Sequence, residues 1–195
     1  MKFTKIPADT FKQLQINAGV ILSGFTPATG AFDAENQIGA TTGGITFAAT
    51  PTFSDYGEDV DNCPKNTKEL KRLDDVEVKA SGTFVTVTTS SAKGLMAAAD
   101  IDGTDTTKVT PRRDLADSDF SDIWIVGDYS DKNGVTNGGF IAIRMIDALS
   151  TGGFQVKTSD KAKGQFAFEY TAHYSISKQE IVPYELYIKA GTAEA

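Results

Sequence analysis

Between Phe166 and Ile176 apolar and polar residues alternate, with Phe166, Phe168, Tyr170, Tyr174 and Ile176 on one side and Glu169, Thr171, His173 and Ser175 on the other. A period of two sends successive side chains to opposite faces of an extended chain, so the segment reads as a strand with one buried face. The same alternation marks Val76-Glu77-Val78-Lys79-Ala80 and, at the end of the chain, Tyr184, Leu186 and Ile188. Val85 and Val87 continue in the opposite parity, which predicts a bulge at Gly82. Phe120 to Tyr129 and Phe140 to Asp147 read as two further strands, joined by the Asn-Gly turn signal of Ser130-Asp131-Lys132-Asn133-Gly134. Ile45 to Ala49 alternates weakly and is read as the first strand, and Pro51 implies that it ends early or lies at an edge. Only one segment reads as helix, from Ala92 to about Ile101, with Ser91 as its cap and Gly94 costing it about 1 kcal/mol. One helix against many antiparallel strands predicts a mainly β fold, a two-sheet antiparallel β-sandwich or partly open barrel with a flanking α-helix.

The remaining segments set the organisation. Residues 1–16 read as an arm in which Asp9 or Thr10 caps a short turn holding Phe11, Leu14 and Gln15. Residues 17–44, rich in Gly, Thr and Ala, read as loop around short extended pieces, and a Thr/Asp-rich loop runs through Pro111 to about Asp119. The stretch 54–75 is long and polar. Its first half carries Asp55, Glu58, Asp59 and Asp61, its second Lys65, Lys68, Lys71 and Arg72 with the single acid Glu69. Asn66 to Leu73 is read as a short helical turn, and a loop of this length in a compact domain calls for a functional reason. With a small polar tail at 190–195, the 195 residues suit a single domain.

The inventory of reactive groups is short. Cys63 is the only cysteine and His173 the only histidine, which excludes an intrachain disulfide and a zinc site built of Cys and His. A Ser-His-Asp or Cys-His catalytic site would have to recruit His173, which alternation places on a polar strand face as a surface imidazole. Cys63 is followed by Pro64 and is read as a small apolar filler at the base of its loop. Asp100-Ile101-Asp102-Gly103-Thr104-Asp105 resembles a calcium loop only in composition. Its glycine is fourth rather than sixth and Pro111 stands twelfth where glutamate belongs, so a solvated acidic loop is the reading, with a weak calcium site of another kind as its alternative. No phosphate-binding glycine motif is present. The expectation is a protein with no catalytic residues, cofactor or metal. A net charge of −7 disfavours tight nucleic-acid binding. Neither a signal peptide nor an apolar run of membrane-spanning length is read from the sequence, so a soluble protein of the reducing cytoplasm, with no membrane partner, is expected.

Gly43-Gly44-Ile45-Thr46-Phe47, leading into Thr52-Phe53-Ser54-Asp55-Tyr56-Gly57-Glu58-Asp59, continues through Asp61-Asn62-Cys63-Pro64-Lys65-Asn66-Thr67-Lys68-Glu69-Leu70 to Val76-Glu77-Val78 and Ser81-Gly82-Thr83-Phe84-Val85. In these segments the chain resembles the major tail proteins, or tail tube proteins, of long-tailed bacteriophages infecting Gram-positive hosts. Phe166 to Tyr174 and Pro183-Tyr184-Glu185-Leu186 are similar too.

The resemblance implies a structural subunit made in the host bacterial cytoplasm and resident in the virion tail. It implies homohexameric rings stacked into a tube, through which DNA passes without specific binding during ejection. Tape measure protein and tail completion or baseplate proteins are the further partners implied. A long loop reaching the neighbouring ring is also implied, and 54–75 stands where that loop belongs, with Asp55, Tyr56, Glu58, Asp59, Val60, Asp61, Lys65, Lys68, Leu70, Lys71 and Arg72 as the candidate stacking residues. Tyr56, Val60 and Leu70 would anchor the contact while the charges set register. Glu169, Thr171, His173 and Ser175 are candidates for the wall of the bore. Six subunits giving four strands each make a barrel of about 24 strands, roughly 27–38 Å wide inside its side chains, enough for a duplex of about 20 Å. Two other readings stand beside this one: a β-sandwich module binding carbohydrate or a cell surface through exposed aromatics, and a tube subunit of a contractile tail or tailocin.

Overall fold

The structure, a computed structural model, describes residues 6–7, 9–31, 33–130 and 138–192. Its strands are β1 (Val20–Leu22), β2 (Gln37–Gly39), β3 (Thr41–Asp55), β4 (Lys71–Phe84), β5 (Ala99–Ile101), β6 (Val109–Pro111), β7 (Ser121–Tyr129), β8 (Gly139–Ser150), β9 (Gln155–Lys157), β10 (Gln165–Thr171) and β11 (Tyr184–Lys189), with one α-helix, α1 (Thr89–Leu95). All pairings are antiparallel, in the order β2-β1-β7-β8-β10-β4-β3, with β11 on β8 and β9 on β10. β5 and β6 form a separate small ribbon. The expected mainly β, sandwich-like fold is what forms, and it is open rather than a closed barrel.

Strand β8 belongs to both layers. On one side it pairs with β7, and on the other Phe140 to Met145 pair with β11 while Leu149 and Ser150 pair with β10. Between these stretches Asp147 has φ +48°, a left-handed conformation that bends the strand from one layer into the next. The corner is held by neighbours. Asp147 N donates to Asp122 Oδ1 at 3.3 Å, and the Asp147 carbonyl lies 3.1 Å from His173 Nδ1.

The core lies between the layers. Ile21, Ile123, Ile125 and Met145 on one side meet Val76, Val78, Ala80, Phe84, Phe168 and Tyr170 on the other, with Leu95 of α1 closing one end. Phe84 and Phe168 stack at 4.3 Å between centroids. A second cluster, Leu22, Trp124, Val126, Phe140 and Ala142, fills the opposite face of β1-β7-β8, where Phe25 covers it edge-on to Phe140. The three-residue β1 is thus buried on both faces, in a region that alone reads as loop.

Several boundaries differ from the sequence expectation. Strand β3 runs through Pro51 as an edge strand, so the edge alternative holds and the early end does not. The expected bulge at Gly82 lies instead in its partner. Register shifts between Thr42 and Ile45, leaving Gly43 and Gly44 unpaired at φ +77° and +83°, while Val76 to Phe84 keep one parity. Helix α1 is capped one turn earlier than expected, by Thr88, whose side chain accepts from Ser91 N while Thr88 N donates to Ser91 Oγ. Its end is set by Ala97 at φ +62°, and the remainder of the expected helix becomes β5. The arm holds a 3-10 turn at Thr10–Lys12, where Asp9 occupies the cap position without a side-chain cap bond. The Asn133-Gly134 turn lies outside the described residues. Among the described residues no helix is long and apolar enough to cross a membrane.

Candidate assembly surface

The stretch 54–75 is the outer end of a β-hairpin. Strands β3 and β4 pair from Thr41–Phe84 out to Asp55–Lys71, so the loop proper spans only 56–70 and residues 54–55 and 71–75 belong to the ladder. Phe53 pairs with Leu73 and Thr52 with Asp75, which leaves Asp74 as an extra residue whose carboxylate accepts from Ser54 Oγ. Such a bulge bends and twists the hairpin where it leaves the sandwich.

The loop carries internal structure. Asp55 anchors it, accepting from Asn66 N at 2.7 Å and Gly57 N at 3.0 Å, and these bonds hold its carboxyl below the usual range. Asn62 and Asn66 take left-handed conformations, which asparagine tolerates better than most residues. Gly57 is buried: a Cβ there would stand 2.9 Å from both Cys63 Sγ and Leu70 Cδ1. Cys63 and Leu70 therefore form a small apolar centre inside the loop, and Leu70 is half-buried rather than an outward anchor. The expected helical turn shortens to a 3-10 turn at Lys68–Leu70.

Tyr56 and Val60 are exposed. Arg72 lies over the Tyr56 ring at 5.2 Å and Lys71 over the Phe53 ring at 5.3 Å. Of the acids, Glu58 meets Lys65 at 3.4 Å and Glu69 meets Lys68 at 3.6 Å, both well exposed. Asp59 and Asp61 are exposed and have no ion pair among the described residues. Since exposed pairs contribute about 0–1 kcal/mol each, these contacts leave the loop's charges available to a partner.

Phe53 and Leu73 were not singled out by sequence. Ile45, Phe47 and Ala49 of β3 point into the core, and alternation places Pro51 and Phe53 on that same side. The row outruns the sandwich, and Phe53 and Leu73 are each 51% exposed. Strand β11 repeats the pattern. Tyr184 packs on the core beside Phe47, whereas Leu186 and Ile188 in the same row are 52% and 55% exposed. Strands β3 and β11 also each pair on one side only. The signal for these residues was present as alternation that continues farther than the core does.

The four residues expected on one polar face are not all together. Glu169 and Thr171 share it, bridged by Thr151 Oγ1 at 3.1 Å and 2.8 Å. Strand β10 then stops: His173 N donates to the Ile146 carbonyl, and its half-buried ring packs edge-on against Phe120 at 5.3 Å, so it is not a solvated surface imidazole. Ser175 begins a 3-10 turn and bonds Ser177. The face continues instead across the sheet. Glu169 pairs with Ser81 and Thr171 with Lys79, which in turn pair with Thr46 and Ala48, followed by Glu77–Thr50 and Asp75–Thr52. It is a surface of small polar side chains with the acids Asp75, Glu77 and Glu169 around Lys79, whose ammonium lies 2.6 Å from Glu77.

The class defined by this geometry is an open antiparallel β-sandwich with an overhanging hairpin, single-sided edge strands that include β3 and β11, and half-exposed apolar rows. Compared with models of known protein families and with curated protein sequences, the chain matches none. Among the described residues, no group of three or more Asp, Glu, Cys or His side chains converges as a metal-binding set.

Proposed function

We propose that the protein is the repeating subunit of a bacteriophage tail tube, assembling as stacked hexameric rings around a conduit for DNA. The observation that carries this reading is the pair of core-facing rows that outrun the core. Phe53 and Leu73 on the hairpin, and Leu186 and Ile188 on β11, are inward-facing apolar residues that the described residues leave about half exposed. Burying such residues is worth about 25 cal/mol per Å² of apolar surface, and a second copy supplies the cover. The single-sided pairing of β3 and β11 supports ring closure, since cyclic pairing removes exposed edges.

In this reading the hairpin reaches the next ring, with Tyr56, Val60, Phe53 and Leu73 supplying contact energy. Asp59, Asp61, Lys65 and Lys68 set register and oppose wrong stacking. The polar face of β3-β4-β10 lines the bore, where small polar and acidic groups avoid the phosphate contacts that would arrest DNA. The test replaces residues 57–70 with a short Gly/Ser linker. A folded subunit with its β circular dichroism intact is expected, able to form single rings but no long tubes. Tubes of normal length from that variant would place ring stacking elsewhere in the chain.

A further inference from the structure

Away from the hairpin and the strand edges, a cavity of about 460 Å³ opens between α1, the end of β10 and the 35–38 segment. Tyr170 stands in its wall. The ring is only 4% exposed, and its hydroxyl has no hydrogen-bond partner among the described residues. Burial pushes this phenol up to about 12, so it remains protonated at neutral pH, able both to donate and to accept.

Gly94 is the second observation. It lies within α1, where alanine would be preferred by about 1 kcal/mol. Its φ is not positive, and the only atom near a Cβ built there is the Tyr170 hydroxyl, at 4.0 Å. Neither backbone conformation nor crowding requires glycine at this point; the glycine keeps the space in front of Tyr170 open.

The rest of the lining defines the chemistry. Ser90 and Ser121 present exposed hydroxyls at its mouth, and Gln37 adds an exposed amide. Ile38 and Ile123 supply apolar wall beside them. Of the two carboxylates, Asp119 is neutralised by Arg112 Nη2 at 2.5 Å and also accepts from Ala116 N at 2.8 Å. Glu35 is the remaining acid, and no Lys, Arg or His lines the cavity. The nearby cations, Arg112 and Lys93, act on Asp119, and the lining itself offers an anion no cationic side chain. A ligand that offers many neutral hydroxyls along with C–H surface matches hydroxyl, amide and carboxylate partners set against isoleucine.

We propose that the cavity between α1 and β10 is a binding site for a neutral polyhydroxylated ligand, a saccharide unit, held by the Tyr170 hydroxyl, Ser90, Ser121, Gln37 and Glu35. The site is separate from the assembly surface and does not depend on the tube reading. Saturation-transfer difference NMR tests it on the full chain, free or assembled, with D-glucose, D-galactose, L-rhamnose and N-acetyl-D-glucosamine at millimolar concentration and D-galacturonate as the anionic control. At least one neutral sugar is expected to bind, and galacturonate to bind more weakly. Tyr170→Phe should weaken the bound sugar about tenfold by removing one hydrogen-bonding group. Gly94→Leu should abolish binding by filling the cavity while leaving the melting temperature unchanged or raised. No transfer from any neutral sugar, undiminished transfer in both variants, or a preference for galacturonate would each overturn the proposal.

Discussion

Asp55 stands where β3 gives way to the loop, and both of its carboxylate oxygens are used by backbone amides, Asn66 at 2.7 Å and Gly57 at 3.0 Å. These bonds, the Asn66 one foremost, hold the folded carboxyl below its ordinary value. A depressed folded pKa stabilises above the unfolded pKa and loses that contribution as pH falls through the folded value. The loop is therefore expected to be ordered at neutral pH and to loosen below about pH 4, the usual carboxylate range. Amide exchange at Gly57 and Asn66 measures this, and Asp55→Asn should show the fast-exchanging state already at pH 7. Exchange that is independent of both pH and the substitution would mean that Asp55 does not hold the loop. At this scale sequence was informative about charge and uninformative about role. Asp55 looked like one acid among four, because its service to two amides depends on the loop folding back eleven residues later. His173 was misplaced for a similar reason. Strict alternation through Ile176 hid the point where backbone bonds transfer from β4, at Ala172 to Val78, to the β8 corner, at His173 to Ile146.

Among the elements, the β3-β4-β10 ladder depends on glycines that serve opposite purposes. A Cβ on Gly82 would come within 2.7 Å of the Phe168 ring, which is already stacked on Phe84. On Gly44 it would meet nothing within 4 Å, but the φ of +83° strains any L-residue with a side chain. Gly82→Ala is thus expected to cost about 1–3 kcal/mol by overpacking. Gly44→Ala should cost about 1–2 kcal/mol by backbone strain alone. Denaturant unfolding separates the two: Phe168→Leu should relieve the first and leave the second unchanged, and strict additivity in both double variants would contradict this packing account. The strands β4, β7, β8 and β11 were legible because they alternate or carry long apolar runs, and Pro51 correctly marked an edge. Strand β1 was not, since three residues are too few to show a period. The helix was drawn too long because alanines favour helix without encoding its end, which Ala97 sets by a backbone conformation that sequence does not advertise.

For the whole molecule the question is what covers the apolar rows and strand edges that the chain leaves open. If β11 is an assembly edge, charge there should block association without unfolding the subunit, because Leu186 and Ile188 are about half-exposed in the isolated chain. Leu186→Lys with Ile188→Lys is expected to leave the thermal transition nearly unchanged and to yield only monomers in sedimentation. Assembly equal to the parent's would remove β11 from the interface. A mainly β fold, sandwich or partly open barrel, is legible in the sequence, whereas its sandwich-like outcome and the overhang depend on how the layers meet. Alternation tells which face of a strand is apolar, but only the folded partner layer tells how far that face is covered. The central claim, that this subunit closes into rings and stacks, is tested most directly by negative-stain microscopy of the purified protein at high concentration, with size-resolved mass measurement on the same sample. Six-fold rings and tubes with an open bore are the predicted result; a strictly monomeric protein at millimolar concentration, with neither rings nor filaments, would contradict it.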